Sequence, residues 1–205
     1  MIPKVFHRIF LDEEVPERFE TYWDGFKALH PDWEFVTWND SSQLGWLRCR
    51  SVFDKAKTHA GRADVLRYEI MFRHGGIYVD TDVECLKAFD DLTEDDRAFA
   101  GWENERLICP TVLGSPPGHP AFDAILDFLP GWAPRRPGVK PNFQTGPVPF
   151  TRVWRDRPDV RLFDREVFYP VGWWEKDRLG GPYPPESYCV HHWCHSWAPR
   201  AGVVR

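Results

Sequence analysis

The sequence predicts an α/β domain, and three observations carry that expectation. PKVFHRIFL reads as a short buried strand, residues 16–29 as an amphipathic helix and residues 33–38 as a second strand, so the chain opens in β-α-β order. A second passage from helix to strand follows between Thr58 and Val79, through the pair Gly75-Gly76. No repeat or composition shift divides the 205 residues, so a single domain over 1–205 is expected.

Each element has its own warrant. The first strand places Val5, Phe6, Ile9 and Phe10 in one apolar run between Pro3 and the acidic stretch that starts at Asp12. Phe19, Tyr22, Trp23, Phe26 and Leu29 recur at helical spacing after Pro16, which suits a first helical turn. Trp33 to Trp38 alternates and closes on Asn39-Asp40, a turn-forming pair. Helical spacing returns from Thr58 to Arg73, where Gly75-Gly76 ends it as glycines end helices, because only glycine takes positive φ without strain. IYV (77–79) is then a strand, as are 96–102, 107–114 and 160–163; HPAFDAILDFL (119–129) is a helix and 130–149 a loop rich in proline and glycine.

Composition narrows the function classes. A formal charge of −5 offers no broad basic surface, which disfavours a nucleic-acid partner. The apolar runs are of strand length, so the expected protein has no stable membrane anchor and is cytoplasmic, or peripheral at the inner membrane. Five scattered cysteines fit free thiols in a reducing compartment. Most of the eleven tryptophans belong to the core, and composition alone does not single out any that stack on a ligand.

Chemistry concentrates in GRADVLRYEIMFRHGGIYVDTDVECL, residues 61–86. Asp80 and Asp82 follow the strand at 77–79; at a strand end the backbone can turn so that both carboxylates reach one ion. Hard oxygen pairs of this kind suit Mg²⁺ or Mn²⁺ carrying a phosphorylated substrate, and two solvated turn aspartates are the plainer alternative. In the preceding helix Asp64 and Arg67 share a face beside the apolar stripe Ala63, Leu66 and Ile70. They are either a surface ion pair or a carboxylate and guanidinium for sugar hydroxyls.

The run A-x-R-A-D-V-L-R-Y-E-I-M-F-R-H-G-G-I-Y-V-D-T-D resembles the DXD sugar-binding region of the Och1-like and α1,4-galactosyltransferase-like glycosyltransferases. The same pattern occurs in the large clostridial glucosylating toxins. IPKVFHRIF is similar to that family's first strand, with Phe10 at the base-flanking aromatic position; PGHP (117–120), QTGP (144–147) and YCVHHWCHSW (188–197) resemble later blocks, with His195 where relatives often have glycine.

The resemblance implies a GT-A fold, a mixed Rossmann-like central sheet flanked by helices. It further implies a retaining hexosyltransferase that uses Mn²⁺ or Mg²⁺ and a UDP- or GDP-linked sugar, with a glycan, lipid-linked or small-molecule acceptor. Asp82 is then the direct metal ligand, Asp80 meets ribose and metal, and Asp64 and Arg67 bind the donor sugar. His191 is the first choice for a third metal ligand, with His192 and His195 as alternates. Tyr78 holds the nucleotide or packs in the core; Asn142 and Gln144 line the donor's β-face or lie in an exposed loop. Three competing expectations are a decayed nucleotide-sugar-binding module, a metal-dependent phosphoesterase and a zinc site built from Cys189, Cys194 and the histidines. On the transferase reading, Arg67→Ala is expected to weaken donor use and leave the fold intact.

Overall fold

The structure is a computed structural model that describes residues 1–11, 14–133 and 139–194, apart from the side chain of Ser42. Six strands form the main sheet: β1 (Val5–Ile9), β2 (Glu34–Trp38), β3 (Gly76–Val79), β5 (Ala98–Trp102), β6 (Ile108–Ser115) and β7 (Val160–Phe163), in the order β2-β1-β3-β6-β5-β7. β1 runs parallel to both β2 and β3, β6 is antiparallel to β3 and β5, and β7 is parallel to β5. The sheet is therefore mixed, and the carboxyl ends of β1, β2, β3, β5 and β7 share one edge. A separate two-stranded ribbon pairs β4 (Val83–Cys85) with β8 (Cys189–His191).

Side chains alternate across the sheet as a period of two requires. Tyr78, Leu113, Ala98 and Ala100 join a core with Val65, Leu66 and Ile70 of α3 (His59–His74), Phe122, Ile125 and Leu129 of α4 (Pro120–Trp132), and Phe150 and Trp154 of α6 (Pro147–Trp154). Ile77, Val79, Val112 and Phe99 face the other way, into an aromatic core of Phe6, Trp23, Phe26, Phe89 and Phe168. Trp23 and Phe26 come from α1 (Glu17–Leu29) and Phe168 from α7 (Arg165–Phe168).

Five elements depart from the sequence reading. α2 (Arg50–Lys55) precedes α3, and its start is fixed by the Cys49 N–H donating to Glu69 Oε1 at 2.6 Å, a long-range bond that local spacing does not reveal. Within the expected loop 130–149 lie α5 (Pro141–Gln144) and the start of α6, each with proline in the first turn, where its missing N–H costs nothing. β4 and β8 are three-residue strands whose pairing is visible only in three dimensions. No helix among the described residues is long and apolar enough to cross a membrane.

His7 ties β1 to the glycine turn and sets an acid limit on the fold. It is 3% exposed; Trp38 Nε1–H donates to its Nδ1 at 3.3 Å, so Nε2 carries the proton and donates to the Gly75 carbonyl at 3.1 Å. Burial, then the nearby His74, lower its pKa from 6.5 to about 4, against the opposing pull of the Gly75 bond. A depressed folded-state pKa means that the unfolded chain binds the proton first. Stability is then complete above pH 6.5 and declines as pH falls towards about 4, by about 3 kcal/mol in total. Chemical denaturation from pH 7 to pH 4 checks this: the slope should flatten in His7→Gln, which still offers a donor to Gly75.

Candidate active site

The site sits at the carboxyl edge of the sheet, built from α3, the glycine turn and the end of β3. Thr58 caps α3, its hydroxyl accepting the Gly61 N–H at 3.1 Å. Gly75 (φ +64°) and Gly76 (φ +85°) then reverse the chain; a Cβ on Gly76 would lie 2.5 Å from Val5 Cγ1, so only glycine lets β3 start against β1. Past Val79 the Asp80 N–H still donates to the Thr111 carbonyl at 3.0 Å, and a turn closes from the Val83 N–H to the Asp80 carbonyl at 3.2 Å. That turn brings Asp80 and Asp82 to one place, although they alternate in sequence.

Arg67 is the hub of the first half. Its Nη1 donates to the Pro110 carbonyl at 2.8 Å, and its Nη2 lies 3.3 Å from Asp64 Oδ1 and 3.2 Å from Asp80 Oδ1, with the guanidinium over the Tyr78 ring at 4.8 Å. Asp64 and Arg67 are 6% and 5% exposed, which excludes a solvated surface pair. Thr145 Oγ1–H donates to Asp64 Oδ2 at 2.9 Å; Tyr78 OH and Thr111 Oγ1–H donate to the two oxygens of Asp80 at 2.5 and 3.1 Å. Burial raises the Asp64 carboxyl to about 6, against the pull of Arg67 and Thr145. Burial thus favours the protonated acid at Asp64, while Arg67 and Thr145 favour the carboxylate.

The second half arrives from far along the chain. β8 pairs with β4 so that His191 stands opposite Val83, which places His191 Nε2 3.1 Å from Asp82 Oδ1. The strap is fixed by the His192 N–H donating to the Asp82 carbonyl at 2.9 Å and the Cys194 N–H donating to Asp82 Oδ2 at 2.8 Å. Between them Trp193 has φ 52°, a left-handed conformation unusual for a bulky residue, with its ring 4.0 Å from that of His191. Its indole N–H donates to the Val171 carbonyl at 2.8 Å, and Lys176 Nζ donates to its carbonyl. Burial works to raise the Asp82 carboxyl, but the adjoining His191 and the Cys194 N–H outweigh it and hold the group well below the usual carboxylate range.

Asp80, Asp82 and His191 each offer a ligand atom within 4.8 Å of the others. Two hard carboxylates and one imidazole form a donor set that fits Mn²⁺ or Mg²⁺, ions that complete their shells with phosphate and water. His191 Nδ1 is buried without a hydrogen-bond partner among the described residues.

The other expected site residues divide. His192 is turned away from the group: its Nε2 meets Glu84 Oε2 at 2.8 Å and its ring stacks on Tyr22 at 4.5 Å. His195 lies outside the described residues. Tyr78 is 1% exposed and reaches the site through Asp80. Phe10 follows β1 at the same sheet edge, partly exposed, with its N–H donating to the Trp38 carbonyl at 3.0 Å. Asn142 is exposed on α5, in the turn that backs Asp64; a Cβ on Gly146 would lie 3.1 Å from Asp64 Oδ2 and 3.3 Å from Asn142 Cα. Gln144 Nε2 points to the Ala133 carbonyl at 3.5 Å. Cys189 is wholly buried in β8, and among the described residues the cysteines join no metal-ligating cluster.

Three contributors were not legible in advance: Thr111, Thr145 and Glu103. The threonines orient Asp80 and Asp64 from distant segments, and only the T-G-P block hinted at Thr145. Glu103, 8% exposed just after β5, carries a carboxyl raised by burial within electrostatic reach of His191.

Residues 16–99 match the family described as a glycosyltransferase sugar-binding region containing a DXD motif. Over 222 aligned positions the chain is 28% identical to inositol phosphoceramide mannosyltransferase 3 of Schizosaccharomyces pombe, covering 94% of this chain and 60% of that protein. Inositol phosphoceramide mannosyltransferase 2 of the same organism is 29% identical over 100% of this chain and 61% of its own length, so the chain spans about three fifths of these relatives. Among solved structures, the PaToxG glycosyltransferase superposes with a TM-score of 0.67 at 19% identity, covering 77% of this chain and 70% of that one. The mixed sheet with helices on both faces is thus the GT-A glycosyltransferase fold, and residues 16–99 within it are similar to the DXD-containing sugar-binding region.

Proposed function

We propose that the protein is a retaining hexosyltransferase, moving a sugar from a nucleoside-diphosphate donor to an acceptor hydroxyl with a divalent metal. The observation that carries this reading is the Asp80, Asp82 and His191 group beside the buried Asp64–Arg67 pair. A divalent ion held there would stabilise the charge that develops on the leaving diphosphate. Asp80 is the most open of the four carboxyl and guanidinium groups, its side chain 24% exposed, and Tyr78, Thr111 and Arg67 hold it in one orientation. Asp64 accepts donor-sugar hydroxyls while Arg67 reaches both Asp64 and Asp80 and holds them together. Phe10 marks the nucleotide side. Retention follows from the family resemblance; on a front-face route no protein nucleophile is required. Mannosyltransferase relatives put a mannosyl donor first in the test.

Incubation with GDP- and UDP-linked hexoses and Mn²⁺ or Mg²⁺ should release sugar and nucleoside diphosphate, and a chelator should stop it. Weak nucleotide binding that ignores metal, with no sugar release, would indicate a decayed module. Attack on phosphate esters without sugar release would indicate a phosphoesterase.

A further inference from the structure

The strand order separates the carboxyl edge into two flanks. β3 and β5 are both antiparallel to β6 and so parallel to each other, and β7 is parallel to β5 with Phe163 beside Gly101. Glu103 therefore leaves β5, and Arg165 follows β7, at the edge where Asp80 leaves β3. Phe10 lies on one side of Asp80, at the end of β1; Glu103 and Arg165 lie on the other. On that second flank a cleft of about 470 Å³ opens between the hairpin tip Asn104–Arg106 and the residues Arg165, Glu166 and Trp174.

We infer that this cleft is the acceptor subsite and that it takes a neutral pyranose ring; the inference rests on the transferase reading for the identity of the metal side. Trp174 is 48% exposed, with the Arg165 guanidinium over its ring at 5.1 Å, and its neighbour Trp173 is 52% exposed; the indole surface left open to water gains free energy when an apolar face covers it. A pyranose supplies such a face, together with a rim of hydroxyls. Glu105, Arg106 and Glu166 provide acceptors and donors for that rim and form no side-chain ion pairs among the described residues, whereas Arg165 is committed to Glu175. The uncommitted charges are thus two carboxylates against one guanidinium, a lining that opposes a phosphate. The hairpin tip is fixed, because Asn104 Oδ1 accepts the Arg106 and Leu107 N–H groups at 3.0 and 3.2 Å.

The cleft is also tied to the metal ligands. The loop that carries Trp174 is bonded at both ends to the strap residue Trp193, through the Val171 carbonyl and Lys176 Nζ. The peptide after Trp193 donates to Asp82. A sugar on Trp174 would therefore rest on a loop that is bonded to the segment carrying His191.

Saturation-transfer difference NMR on the full chain, with Mg²⁺ and GDP or UDP present, tests this with methyl α-mannopyranoside, methyl β-galactopyranoside and methyl β-glucopyranoside. At least one should show saturable transfer to its ring protons, weakened about tenfold or more in Trp174→Ala and clearly weakened in Arg106→Ala, with native circular dichroism in both. No transfer from any of the three, an affinity unchanged in Trp174→Ala, or tighter binding of inorganic phosphate than of the pyranosides would overturn the inference. Titration of GDP and UDP with Mn²⁺ into the wild-type protein probes the donor half independently, so failure of the transferase reading is seen separately.

Discussion

Asp82→Asn should lower metal-dependent transfer by about a thousandfold while the chain stays folded. Asparagine retains the carbonyl oxygen that can accept the Cys194 N–H, so the strap has its anchor, but it removes the charge that faces His191 and one oxygen of the candidate metal group. Two measurements separate the ligand role from a scaffold role. Affinity for GDP or UDP should lose its dependence on Mn²⁺, and thermal unfolding should shift far less than activity. Native unfolding with undiminished turnover would show that Asp82 serves only to hold the strap.

Arg67→Ala should destabilise the fold by about 3–5 kcal/mol in urea unfolding, as removal of one partner from a buried charge group does. From the sequence alone the substitution is expected to leave the fold intact; the burial of the pair adds this cost. The guanidinium is 5% exposed and serves Asp64, Asp80 and the Pro110 carbonyl together, so its loss leaves the buried Asp64 carboxylate without its ion-pair partner and the Pro110 carbonyl without this donor. Adding Asp64→Asn to Arg67→Ala should recover part of the loss, because one stranded charge is then gone. A cost below about 1 kcal/mol would mean that solvent reaches the group and that the pair is a surface feature.

The helix, the glycine turn and the aspartates of residues 61–86 could be read directly from the sequence, because each rests on local chemistry: spacing for α3, positive φ for Gly75 and Gly76, and a strand end for Asp80. The depth of the Asp64–Arg67 pair could not. Polar residues three apart on a helix normally mark a solvated face, and the covering by β6 and the turn at Thr145 buries this one. The choice of His191 over His192 came from the resemblance; its physical reason is the β4–β8 register, which turns one imidazole to Asp82 and the next to Glu84. Phe10, Asn142 and Gln144 have placements near the site, and their roles are matters for the donor titrations. Glu103 and the Trp174 cleft gave no sequence signal, since they follow strands whose shared edge is set by the β5–β7 pairing.

The β4–β8 ribbon also joins positions that are 109 residues apart, through a contact between Asp82 and His191. Most of the chain lies within the loop it closes, and closing so long a loop costs entropy that grows only slowly with its length. An ion bound as proposed would act as a removable clip across that loop, stabilising the native chain in proportion to its free concentration. Donor chemistry and chain closure would then share one switch: withdrawing the ion would both leave the departing diphosphate without its counter-charge and loosen β8.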